Sequence, residues 1–154
     1  MRWPLPLLLV LLLALLLAGL VLPVLAAEGN RIGYVTFQEV SIRLTNGTAR
    51  AEVDYSLDPG MDLIILLFGV GDLQKKLESS LNYPALKAEE VGLSRAVFIV
   101  PGAAEDDGNG AYWFPAHRFG VTFPLVEVRA PGQSLTFTGV QTIPKEFGFF
   151  GDTP

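Results

Sequence analysis

Val40-Ser41-Ile42-Arg43-Leu44-Thr45-Asn46-Gly47-Thr48-Ala49-Arg50-Ala51-Glu52-Val53-Asp54-Tyr55-Ser56-Leu57 is the stretch on which the fold turns. Val40, Ile42 and Leu44 alternate with Ser41 and Arg43. Beyond Asn46-Gly47, the residues Ala49, Ala51, Val53, Tyr55 and Leu57 alternate with Thr48, Arg50, Glu52, Asp54 and Ser56. A period of two means a strand with one buried and one wet face. Asn-Gly between two such runs is the strongest short signal for a primed hairpin turn, because both residues tolerate positive φ. The stretch predicts a β-hairpin with Ala51, Val53, Tyr55 and Leu57 facing a core.

Toward the C-terminus, Asp58-Pro59-Gly60 predicts a type II turn, with Pro and Gly at its two central positions. Leu63-Ile64-Ile65-Leu66-Leu67-Phe68 is an unbroken apolar run and predicts a strand covered on both faces. After Gly69-Val70-Gly71, Asp72 is placed to cap a helix whose Leu73, Leu77 and Leu81 share one stripe, and Pro84 ends it. Residues 88–91 predict a turn ending at Gly92. Arg95-Ala96-Val97-Phe98-Ile99-Val100 predicts a buried strand closed by Pro101-Gly102, and residues 111–114 a short one. Residues 125–129 and 134–140 form a second hairpin across Ala130-Pro131-Gly132-Gln133. These elements add up to a mainly β fold: an antiparallel sheet or β-sandwich with one short helix inserted between the third and fourth strands, α+β being the other class open.

Toward the N-terminus, residues 1–27 carry one charge, Arg2, followed by a leucine-dominated run over residues 5–27. A basic start, an apolar stretch and Val24-Leu25-Ala26 fill the three parts of a secretory signal, with cleavage after Ala26 or Ala27. The run also approaches the roughly 20 residues that span a bilayer, so an uncleaved anchor through residues 3–27 is the competing reading. Both leave residues 28–154 as a single extracytoplasmic domain, secreted or held on the outer face of the cytoplasmic membrane. No cysteine is present to carry a lipoprotein acyl chain, a disulfide or a thiolate zinc site.

Without residues 1–27 the chain has 127 residues, and ten Lys and Arg stand against sixteen Asp and Glu, a net charge near −6. One core is the default at this length. The acidic balance argues against nucleic acid and anionic headgroups as partners, both of which need clustered positive charge.

Four groups of residues are candidate sites. Glu105, Asp106, Asp107 and Asn109 sit among glycines and offer the hard oxygens that suit Ca²⁺, but the spacing is not an EF-hand and the expected reading is a solvated loop between strands, with calcium the alternative. Tyr112, Trp113, His117 and Arg118 belong to the most aromatic segment and could line a sugar or small-ligand pocket, or simply pack a sandwich edge. His117 is the only histidine, so a hydrolase would have to use it with Glu105, Asp106 or Asp107, and no Gly-x-Ser-x-Gly elbow supports that. Asn46-Gly47-Thr48 is a glycosylation sequon at the predicted hairpin tip. The apolar tail Phe147-Gly148-Phe149-Phe150-Gly151 reads as a closing edge strand or as a peg for a neighbouring subunit.

The leader combined with Ala51-Glu52-Val53-Asp54-Tyr55-Ser56-Leu57, Leu66-Leu67-Phe68-Gly69, Asp72-Leu73-Gln74-Lys75-Lys76-Leu77-Glu78 and Arg95-Ala96-Val97-Phe98-Ile99-Val100 resembles small exported proteins of unknown function from methanogenic archaea. The resemblance implies an envelope location and no mechanism. The expected function is a non-enzymatic envelope or extracellular module that binds or self-associates through sheet edges and the aromatic segment, without a cofactor. A small-ligand or carbohydrate-binding domain is the alternative, a hydrolase the third reading. Intact mass of the exported protein is expected to place its first residue at Ala27 or Glu28; a species that retains Met1 would establish the anchor instead.

Overall fold

The computed structural model describes residues 29–151. The leader and its cleavage site lie outside the described residues. The element order is β1 (Arg31–Ile32), β2 (Val35–Thr45), β3 (Thr48–Leu57), α1 (Met61–Phe68), α2 (Gly71–Leu81), β4 (Lys87–Val91), β5 (Arg95–Val100), β6 (Glu105–Gly108), β7 (Ala111–Phe114), β8 (His117–Ala130), β9 (Gln133–Ile143) and β10 (Phe147–Phe150). The fold is mainly β, as the alternation predicts.

The hairpin of residues 40–57 forms in the predicted register, Thr45 opposite Thr48 and Val40 opposite Val53. Asn46 takes the positive φ of the turn, 53°, and Gly47 does not. Ala49, Ala51, Val53 and Tyr55 are buried and Leu57 is half-buried. A β-bulge between Phe37 and Glu39 adds one residue to β2, so Phe37 and Val40 both face the core despite their odd spacing. The Asp58-Pro59-Gly60 turn also forms. Gly60 has φ 85°, and the Met61 N–H donates to the Asp58 carbonyl at 3.1 Å.

Seven strands make the large sheet, in the order β4-β5-β3-β2-β8-β9 with β1 added on β2. Every pairing is antiparallel except β2 with β8, which run parallel from Glu39 opposite Leu125 to Arg43 opposite Arg129. A second sheet, β10-β7-β6, has three antiparallel strands. One core cluster joins the inner face of the large sheet to α2 and to the small sheet. The leucine stripe of α2, Leu73, Leu77 and Leu81, shares this cluster with Phe37, Phe119 and Phe123, whose rings meet edge to face, and the small sheet contributes Phe114 and Phe149. The other face of the large sheet is polar. There Arg95 pairs with Glu52 at 2.9 Å and Asp54 at 2.8 Å, Arg50 with Glu89 at 3.1 Å and Arg129 with Glu127 at 2.6 Å.

Several local expectations are corrected. Leu63 to Phe68 is not a buried strand but most of α1, and only Ile65 of that helix reaches the core. A short apolar run has no period that separates strand from helix, and the slot beside β3 is taken by β5. The described residues thus hold two helices, not one. Residues 88–91 form part of edge strand β4 rather than a turn, paired with β5. Asp72 is not the cap of α2. Val70 holds that position, and Asp72 instead pairs with Lys76 at 3.2 Å and accepts the Tyr34 hydroxyl at 2.9 Å.

Contact between α2 and β8 is backbone to backbone. A Cβ on Gly120 would stand 2.1 Å from the Ser79 carbonyl oxygen, far inside van der Waals contact. No rotamer relieves a clash with a main-chain atom, so Gly120→Ala is expected to push α2 off the sheet. The expected cost is about 3 kcal/mol, a fall in melting temperature of roughly 10 °C by circular dichroism.

Candidate functional site

The small sheet divides its side chains cleanly between its faces. Phe114 and Phe149 are buried, Tyr112 and Phe147 pack against the core, and the Tyr112–Phe149 and Phe114–Phe147 ring centroids lie 5.6 Å and 5.4 Å apart. The alternate positions Ala111, Trp113, Gly148 and Phe150 therefore face outward. Register sets a small residue beside each large one, Gly148 opposite Trp113 and Ala111 opposite Phe150. A Cβ on Gly148 would lie 3.3 Å from the Trp113 ring, so the indole lies across the neighbouring strand. Trp113 is 46% exposed and Phe150 74%. With Asp107 at the rim they line a cleft of about 330 Å³.

This cleft rests on a fixed floor. The Ala104 N–H donates to the Gly47 carbonyl at 3.3 Å, and the Gln133 amide donates to the Gly148 carbonyl at 2.9 Å. Gly151 sits so close to Asn46 and Tyr112 that a Cβ there would be 2.4 Å from the Asn46 Oδ1. The sequon amide is accordingly turned toward the end of β10, with Asn46 exposed at the hairpin tip. The apolar tail forms the edge strand β10 on β7.

The four aromatic-segment candidates do not converge. Tyr112 and Trp113 belong to the cleft, Tyr112 from below, whereas His117 and Arg118 begin β8 and meet the end of α2. His117 Nε2 is 2.7 Å from the Leu81 carbonyl, and its ring stacks on Tyr83 with centroids 3.8 Å apart and 4° between planes. The Asn82 amide donates to the Arg118 carbonyl at 2.9 Å. These bonds satisfy a carbonyl of the last helical turn, which otherwise lacks a partner, and they lock α2 to β8. His117 acts here as a structural clamp.

The acidic segment is a strand and turn rather than a loop. Glu105–Gly108 pairs with β7, and Gly108, Asn109 and Gly110 turn the hairpin with φ of 81°, 54° and 77°. Glu105 lies opposite Trp113, and Asp106 opposite Tyr112 accepts the Gly108 N–H at 2.8 Å. Consecutive strand positions point to opposite faces, so Glu105 and Asp106 diverge. No group of three metal-ligating side chains comes together among the described residues.

The structure thus defines a β-sheet domain with an aromatic and carboxylate cleft on its small sheet. No protein-family model, curated protein or solved structure matches the chain. Phe150 and Gly148 were not legible as partners of Trp113, because only the β7–β10 register brings them together.

His117 makes stability depend on pH. Burial holds its pKa below 6.5, outweighing the Leu81 carbonyl, which favours the charged ring. Above 6.5 both folded and unfolded forms are neutral and the contribution is complete. As pH falls from there through the folded value, the unfolded chain binds the proton first and stability is lost. The chain has one histidine, the side chain type whose ordinary pKa lies in this range, so melting temperature is expected to drop between pH 7.5 and 5.5. His117→Asn should flatten that drop; an unchanged slope would remove His117 as its source.

Proposed function

We propose that this chain is a non-enzymatic extracytoplasmic binding module of the cell envelope, delivered by its leucine-rich leader, and that the outward face of the small sheet is its recognition surface. One observation carries the reading: Trp113 and Phe150 stand exposed over small neighbours on a sheet whose opposite face is core. An exposed ring held rigid loses little entropy on binding and offers a flat apolar face. The resemblance to small exported proteins of methanogenic archaea supports the same location.

A carbohydrate ligand is the favoured class for the cleft. Sugar rings present apolar faces that stack on Trp113, and Asp107 at the rim supplies an acceptor for hydroxyl groups. Phe150 and Trp113 stand exposed on adjacent strands at a cleft open to solvent, which suits a chain of sugars more than an enclosed small molecule.

Trp113 and Trp3 are the only tryptophans, so the chain freed of its leader reports on this site alone by intrinsic fluorescence. Titration with soluble envelope oligosaccharides is expected to give a saturable change in Trp113 emission. Phe150→Ala should weaken it tenfold or more, about 1.4 kcal/mol, with an unchanged melting temperature. Emission indifferent to every oligosaccharide, or indifferent to loss of Phe150, would sink the assignment.

A further inference from the structure

Among the described residues, α1 is the helix that turns its apolar side chains outward. Leu66 is 71% exposed, Leu67 70% and Phe68 84%, with Leu63 and Ile64 also in solvent. At about 100° per residue these five side chains sweep an arc of roughly 200°, about twice the stripe that a helix buries in a protein groove. Asp62 is its one charged residue. The glycines at its ends, Gly60 and Gly69, have φ of 85° and 90°, and a Cβ added to either would meet nothing within 4 Å. Ile65 alone ties the helix to the core, and its other apolar side chains are left in solvent.

Its base is fastened to the point where the chain enters the domain. The Arg31 guanidinium pairs with Asp58, the Asp58 N–H donates to the Tyr34 carbonyl at 2.9 Å, and the Asp58 carbonyl accepts the Met61 N–H that opens α1. Arg31 follows the apolar run of residues 5–27 by four positions. Four residues reach at most about 14 Å. Wherever that run meets a bilayer, α1 is held within reach of the same surface.

We propose that α1 is a membrane-contact helix that dips into the interfacial layer of the bilayer beside the leader and rests the domain against it. The proposal relies on the extracytoplasmic reading above with residues 3–27 kept as an uncleaved anchor, and it is independent of the sugar cleft. A groove on another protein would cover one stripe and leave the flanks of α1 in water, whereas lipid encloses a protruding helix from every exposed side. An interfacial helix lies in the plane of the membrane with its apolar face sunk about 5–10 Å, and the exposed Leu63, Ile64, Leu66, Leu67 and Phe68 supply such a face. Asp62 and the acidic balance of the domain favour zwitterionic over anionic headgroups, so binding should be insensitive to salt.

The chain has no cysteine, so one introduced residue can be labelled alone. The full chain is reconstituted in phosphatidylcholine vesicles with nitrobenzoxadiazole on Leu67→Cys or, as a control on the open face of the large sheet, on Thr136→Cys. The expected result is blue-shifted emission at position 67 that shallow spin-labelled lipids quench, and water-like emission at position 136. Leu66→Asp with Phe68→Asp should abolish the blue shift without lowering the melting temperature. Water-like emission at position 67 overturns the proposal. So does a blue shift that lipids do not quench and that grows with protein-to-lipid ratio, which would make a second copy of the chain the occupant. Resistance of the chain to alkaline carbonate extraction reports the leader separately, so a failure of the leader reading is distinguished from a failure at α1.

Discussion

The parallel pairing of β2 with β8 is the contact on which the rest of the structure depends. Five residue pairs, from Glu39 with Leu125 to Arg43 with Arg129, join the N-terminal hairpin to the C-terminal one. Parallel neighbours cannot be linked by a tight turn, so everything between β2 and β8 is a crossover of a kind, and it holds α1, α2 and two of the three strands of the small sheet, β6 and β7. Only after that pair closes do Ile42 and Val40 share a face with Val126 and Val128, and only that shared face is wide enough to bury α2 and the small sheet together. A contact of such long sequence separation carries a large loop-closure entropy and forms late relative to the local hairpins.

Pairing β8 against β2 also creates a conflict that the open face resolves with charge. Arg43 is the register partner of Arg50 on one side and of Arg129 on the other, so three guanidinium groups stand in one row across adjacent strands. Like charges directly opposite destabilise a sheet. Glu89 draws Arg50 outward to β4, and Glu127 takes Arg129 in two bonds along its own strand, which separates the three groups. These pairs are exposed and contribute little stability each, so their effect is to permit the register that the apolar face demands.

Glycine works in this fold by letting main chains and rings approach. Gly120 lets α2 lie on the backbone of β8, Gly151 lets the end of β10 touch Asn46 and Tyr112, and Gly148 is the floor beneath the Trp113 indole. The first two fix the small sheet and the helix on either side of one core, and the third shapes the cleft. The aromatic segment is divided by the same geometry. Trp113 looks out from the small sheet, while His117, four residues on, is folded under Tyr83 at the end of α2.

Strong local periodicity and turn chemistry were decisive in the sequence by themselves: the 40–57 hairpin, the Asp58-Pro59-Gly60 turn, the Leu73, Leu77 and Leu81 stripe and the hairpin across Pro131-Gly132 all stand as their patterns dictate. Tertiary structure decided what had no period or depended on a distant partner. The run Leu63 to Phe68 could be strand or helix until β5 filled the place beside β3, and its exposure contradicts composition outright. Residues 105–108 became a strand because β7 offered them an edge, and Phe150 joined Trp113 because β10 pairs with β7. Local pattern records which face of an element is apolar; which element covers that face is settled by competition among edges and surfaces, and that competition exists only once the chain is folded.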